Sequence, residues 1–175
     1  MGREEHEAVL ADLDLVAVVE LDGVDAVTVD VGAVEAAHVA LLSLGMAVGV
    51  LLVTHIGIGT ALLAVAGKLL PNLPLAAEAF EVAFDADPDA MLPAASAALR
   101  RVDQGDGVLV LTDLYGASPS NLAARLAHLG TPVRRVSGLG LPMLLRVMNY
   151  AELGLDELPA VAAAGSRNGV VHDDA

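Results

Sequence analysis

The chain has 175 residues and no cysteine, which suits one domain with a real core plus an appendage and excludes a disulfide framework and thiolate metal sites. Its formal net charge of −14 disfavours nucleic acid and anionic membrane as partners. The acidic start has no basic leader, so no signal peptide is expected, and the lack of cysteine suits a reducing cytoplasm.

Residues 1–45 carry ten acids against one base, Arg3. Residues 16–19 and 24–31 have strand composition and residues 33–44 read as a helix, but no turn chemistry closes a hairpin between the two strands. Met46 stands just before the regular part of the chain. The first 45 residues are therefore read as an acidic extension, either a flexible arm or sequence upstream of a start at Met46, and are given no function.

From residue 46 to 175 the pattern alternates. An apolar strand over residues 49–54 stops at His55, and Ile56-Gly57-Ile58-Gly59 turns into a helix over 60–70 with Leu62, Ala66 and Leu69 on one stripe. A second strand over 78–84 sets Phe80, Val82 and Phe84 against Ala79, Glu81 and Ala83, the mark of an edge strand with one wetter face. Asp87-Pro88 caps a helix to Val102. A third strand, Val108 to Leu111, ends at Thr112-Asp113, and Ser118-Pro119 opens a helix with Leu122, Leu126 and Leu129 on one face. Residues 133–137 form a fourth strand, Gly140-Leu141-Pro142 leads to a helix over 143–153, a short helix covers 156–164, and residues 165–172 end in a small strand. This order predicts an α/β domain with a mostly parallel open sheet and helices on both faces. Residues 36–67 contain no Asp, Glu, Lys or Arg, long enough for a membrane span of ~20 residues. A buried strand plus a buried helix face gives the same apolarity and is the preferred reading.

Open parallel sheets bind ligands beyond the carboxyl ends of their strands. His55 and Asp113 both occupy such ends, and the expectation is that they meet at a topological switch point. A histidine oriented by a carboxylate can attack phosphorus, whereas a lone histidine would merely end a strand. The candidate phosphate-binding residues are Thr54, Gly57, Gly59, Gly116, Ala117 and Ser118, grouped at two helix starts whose N–H groups favour anions. Ser118 reads equally well as an ordinary cap. No Walker A pattern follows the glycines, and His6, His38, His128 and His172 show no ligand spacing, so no cofactor and no metal are expected. Met143 and Met148 read as core.

Thr54-His55, then Leu111 to Asn121, then Gly140-Leu141-Pro142-Met143-Leu144, and finally Gly165 to Val171, resemble four motifs of one family in the same order. It is the enzyme IIA domain of the mannose family of the bacterial phosphoenolpyruvate-dependent sugar phosphotransferase system. The resemblance covers roughly residues 46–172. It implies a flavodoxin-like sheet, a homodimer that exchanges a short C-terminal strand, and a phosphohistidine carrier. His55 would accept a phosphoryl group from HPr and pass it to a IIB domain or another acceptor, with Asp113 orienting His55 and Ser118 and nearby amides holding the phosphoryl group. A membrane would be met only through a permease partner. Ile56 departs from the family, which usually has a small residue there, and a β-branched side chain restricts that turn. Two alternatives stay open: a non-catalytic regulatory or interaction domain, and the phosphocarrier subunit of dihydroxyacetone kinase.

Overall fold

The computed structural model describes residues 16–19, 27–30, 47–70 and 72–172. The chain divides into two units, residues 1–44 and residues 45–175. In the first, β1 (Val16–Val19) pairs antiparallel with β2 (Val27–Asp30), with Val16 opposite Asp30 and Val19 opposite Val27. The expected helix over residues 33–44 lies outside the described residues.

In the second unit the order is β3 (Gly49–His55), α1 (Ile58–Leu69), β4 (Ala77–Val82), α2 (Pro88–Val102), β5 (Val108–Thr112), α3 (Ser118–Leu126), β6 (Val133–Ser137), α4 (Leu141–Met148) and α5 (Leu158–Asn168). The four strands form one parallel sheet in the order β4-β3-β5-β6. This is the flavodoxin-like arrangement, in which the first strand of the unit lies between the second and the third.

β3 and β5 are central, and their apolar runs are buried on both faces. Strand alternation divides them between two cores. Val50, Leu52, Leu109 and Leu111 pack with Met143, Leu144 and Leu158 of α4 and α5. Leu51, Val53, Val108 and Val110 pack on the other face with Leu99 of α2 and with Leu122 and Leu126 of α3. Truncating a fully buried leucine such as Leu51 or Leu109 to alanine would cost about 2–5 kcal/mol. Met143 and Met148 are core, as read from the sequence.

The apolar stretch before Lys68 resolves into strand β3 and helix α1 over its described part, and among the described residues no helix is long and apolar enough to cross a membrane. α1 begins two residues before the expected start, because Gly57 takes the left-handed cap position at φ 86°. Of the expected stripe, Ala66 is buried and Leu62 packs against the core, but Leu69 is exposed, and Gly59 is the other buried residue of α1. Leu129 likewise lies beyond the end of α3 and is exposed.

The C-terminal segment differs from expectation. Residues 165–168 continue α5, because Gly165 lets that helix lie against α4: a Cβ there would stand 2.9 Å from Met143 Cα. Among the described residues, 170–172 form no strand, and Val170 and Val171 are exposed. Within one chain, the end of α5 delivers them to solvent rather than to a sheet edge.

Candidate functional site

The chain reverses its direction of travel across the sheet between β4 and β5, so the crevice beyond β3 and β5 is the switch point where such folds bind ligands. His55 is the last residue of β3, and Asp113 follows the last residue of β5. The structure brings them together: His55 Nδ1 lies 2.7 Å from Asp113 Oδ2. The same oxygen accepts the His55 backbone N–H at 2.9 Å, and Asp113 Oδ1 accepts the Leu114 N–H at 2.8 Å.

Both side chains are largely buried, at 13% and 9% exposed. Burial pushes the Asp113 carboxyl up. The backbone N–H and ring of His55, the Leu114 N–H and the charge of His55 pull it down and win, so its pKa lies below the usual value. An ionised carboxylate can only accept hydrogen bonds. In a neutral ring this contact assigns the proton to Nδ1 and the lone pair to Nε2.

Thr54 is fully buried. Its Oγ1 donates to the His55 carbonyl at 3.0 Å and accepts the Gly59 N–H at 2.9 Å. It thus ties the strand end to the first turn of α1. Gly59 is needed for that contact, since a Cβ there would stand 2.8 Å from Thr54 Oγ1. The Gly59 amide is consequently committed inside the protein. Across the sheet, Thr112 Oγ1 and Ser137 Oγ share a hydrogen bond of 2.7 Å that ties β5 to β6.

Gly116 sits in the turn after Asp113 in the left-handed region, at φ 80°. Ala117 takes the cap position of α3 and Ser118 is its first helical residue, so Ser118 is not the cap. Among the described residues no side chain caps this helix. The Ala117 N–H donates to the Leu114 carbonyl at 3.4 Å and Pro119 has no N–H, so the amides that the start of α3 can offer an anion are those of Ser118 and Ser120.

Two residues at the site escaped the sequence reading. Glu81, opposite Thr54 in the β3–β4 register, accepts the Thr60 N–H at 3.0 Å. Hydrogen bonds from the Thr60 and Gly57 amides lower its pKa. A carboxylate of the chain itself therefore satisfies the start of α1. Phe84 stacks on His55 with ring centroids 4.6 Å apart and planes 23° apart. The strand expected over 78–84 ends at Val82, so Phe84 lies in the turn that follows and its contact could not be read from the alternation; for Glu81 the pairing register was needed. Ile56 is 64% exposed and Tyr115 84% exposed, so Tyr115 does not pack within its turn.

His128 is exposed in the turn after α3, His172 is exposed near the end of the chain, and His6 and His38 lie outside the described residues. Among the described residues no group of metal-ligating side chains forms.

The family model described as PTS system fructose IIA component matches residues 49–163. A 55-residue stretch is 39% identical to YadI of Escherichia coli (strain K12) and covers 31% of this chain and 38% of that protein. A 77-residue stretch is 34% identical to the PTS system mannose-specific EIIAB component of the same organism and covers 43% of this chain and 24% of that protein. The chain thus spans well under half the length of either relative. The fold superposes on the mannose/sorbose specific IIA subunit of the phosphotransferase system from Enterococcus faecalis with a TM-score of 0.65. That alignment is 24% identical and covers 74% of this chain and 97% of that one.

Proposed function

Because the chain belongs to the mannose-type IIA family of the bacterial sugar phosphotransferase system, we propose that it is a phosphohistidine carrier that accepts a phosphoryl group on Nε2 of His55. The observation that carries this reading is the 2.7 Å contact between His55 Nδ1 and Asp113 Oδ2. It fixes the tautomer in which Nε2 is the nucleophile.

The donor is a phosphohistidine of HPr. The Nε2 lone pair attacks phosphorus, the donor N–P bond breaks, and its electron pair returns to the donor ring. The His55 ring gains positive charge while keeping the Nδ1 proton, and Asp113 offsets that charge across the hydrogen bond. The amides at the start of α3, with Ser118, receive the phosphoryl oxygens. Passing the group to a IIB domain or another acceptor reverses these steps. Ile56, Leu114 and Tyr115 are exposed residues with large apolar surface that follow the ends of β3 and β5, which suits a site that docks a protein rather than a small molecule. The exposed Val170 and Val171 are read as the strand that pairs with a second copy.

The test is incubation with phosphoenolpyruvate, enzyme I and HPr. The expected product is an acid-labile, alkali-stable label on the wild type and none on His55→Ala. Full labelling of His55→Ala would sink the assignment. An unlabelled wild type that still binds HPr would instead favour a regulatory interaction domain.

A further inference from the structure

Only two phenylalanines occur in the chain. Phe80 is partly buried on β4 against the core beside α2 and α3. Phe84 lies past the end of β4, is 82% exposed, and stacks nearly parallel to the His55 imidazole at 4.6 Å. His55 is opposite Val82, the last residue of β4, and the turn that follows carries Phe84 back over the imidazole. An aromatic ring so exposed adds little to the core, and the ring it stacks on is the imidazole.

We infer that Phe84 is a positioning residue for His55, an inference that rests on the phosphohistidine reading above. One hydrogen bond at Nδ1 leaves the imidazole free to rock about the line from Nδ1 to Asp113 Oδ2. A ring against its face removes that freedom, so edge and face are held by different residues. The Nε2 lone pair lies in the plane of the imidazole, and a stacked ring leaves it open to phosphorus. The contact also strengthens during transfer. As the new N–P bond forms at Nε2 and the Nδ1 proton is retained, the imidazole becomes cationic, and a phenyl face attracts a cation. The consequence is a faster chemical step rather than tighter docking.

The test uses the full chain and two phosphoryl donors. Phosphoramidate has no protein surface to dock: its P–N bond breaks, ammonia leaves, and the phosphoryl group bonds to Nε2. Labelling of His55 is followed by phosphorus NMR in the wild type, Phe84→Ala, Phe84→Leu and Phe84→Tyr. The expected result is a fall of about threefold to tenfold in rate for the Ala and Leu variants, the span of a lost aromatic pair. Phe84→Tyr should retain the wild-type rate, and all four should melt alike. With HPr as donor, kcat should fall by the same factor while KM stays constant. A wild-type rate from phosphoramidate in Phe84→Ala, or a raised KM for HPr with kcat unchanged, would overturn the inference and make Phe84 part of a docking surface. A protein that HPr never labels, but that shows the Phe84 effect with phosphoramidate, would sink the carrier reading and leave this one standing.

Discussion

One oxygen of Asp113 holds both the side chain and the backbone of His55: Oδ2 lies 2.7 Å from the ring Nδ1 and 2.9 Å from the main-chain nitrogen. With the Leu114 N–H on Oδ1, three donors converge on two oxygens.

An amide cannot meet that demand. In Asp113→Asn one of the two acceptors becomes an NH2 group facing an N–H, whichever way the amide turns. The variant should lose about 1–3 kcal/mol of stability. Phosphoryl transfer should slow by at least about 10²-fold, since the ring loses both its tautomer and its counter-charge. Urea melts and quenched-flow labelling check the two halves separately. Transfer at the wild-type rate would remove Asp113 from the mechanism.

The same carboxylate makes stability depend on acid. Its pKa is lower in the folded chain than in the unfolded one, so the unfolded chain binds the proton more readily. The stability it contributes is complete above the ordinary carboxylate value and is lost as pH falls through the folded-state value. Melts of wild type and Asp113→Asn should therefore differ at pH 7 and converge in acid. A gap that widens with acid would contradict the sign.

Two glycines of α1 should respond oppositely to the same substitution. A Cβ on Gly67 would meet nothing within 4 Å, so Gly67→Ala should stabilise by about 0.5–1 kcal/mol through helix propensity alone. Gly59→Ala gains that advantage too, but its Cβ would meet Thr54 Oγ1 at 2.8 Å and Ala79 Cβ at 3.1 Å. Overpacking costs about 1–3 kcal/mol and should win. Thermal melts of the pair check the reversal, and slowed labelling of Gly59→Ala would follow from the displaced turn after His55.

Removing residues 169–175 tests the proposed dimer. Val170 and Val171 are about four-fifths exposed in the single chain, at 80% and 81%. Light scattering at micromolar concentration should show a dimer for the full chain and a monomer after deletion, with His55 still labelled. A full-length monomer would refute strand exchange.

Much of the fold was legible because β3 and β5 are uninterrupted apolar runs, each ending in Thr plus an ionisable residue, and that pattern names a parallel sheet and its active edge together. The helix starts at Pro88 and Ser118 were legible from their prolines. The fate of residues 165–168 was not, because it depends on how closely α5 approaches α4. Glu81 was hidden for a similar reason: its partner amide is 21 residues away, and only the pairing of β3 with β4 brings them together. The alternation places Phe84 at the end of a strand, but β4 stops at Val82 and the turn after it decides what the ring touches.

The separation of His55 and Asp113 by 58 residues also bears on synthesis. β3 is the first strand of its sheet to leave the ribosome, yet it lies between β4 and β5 and gains its second neighbour only when β5 emerges. At about 5–20 residues per second, the nascent histidine waits roughly 3–12 s for its aspartate. Through that interval an incomplete chain displays the histidine without the carboxylate that orients it, so the pair is assembled only when the third strand of the sheet joins the first.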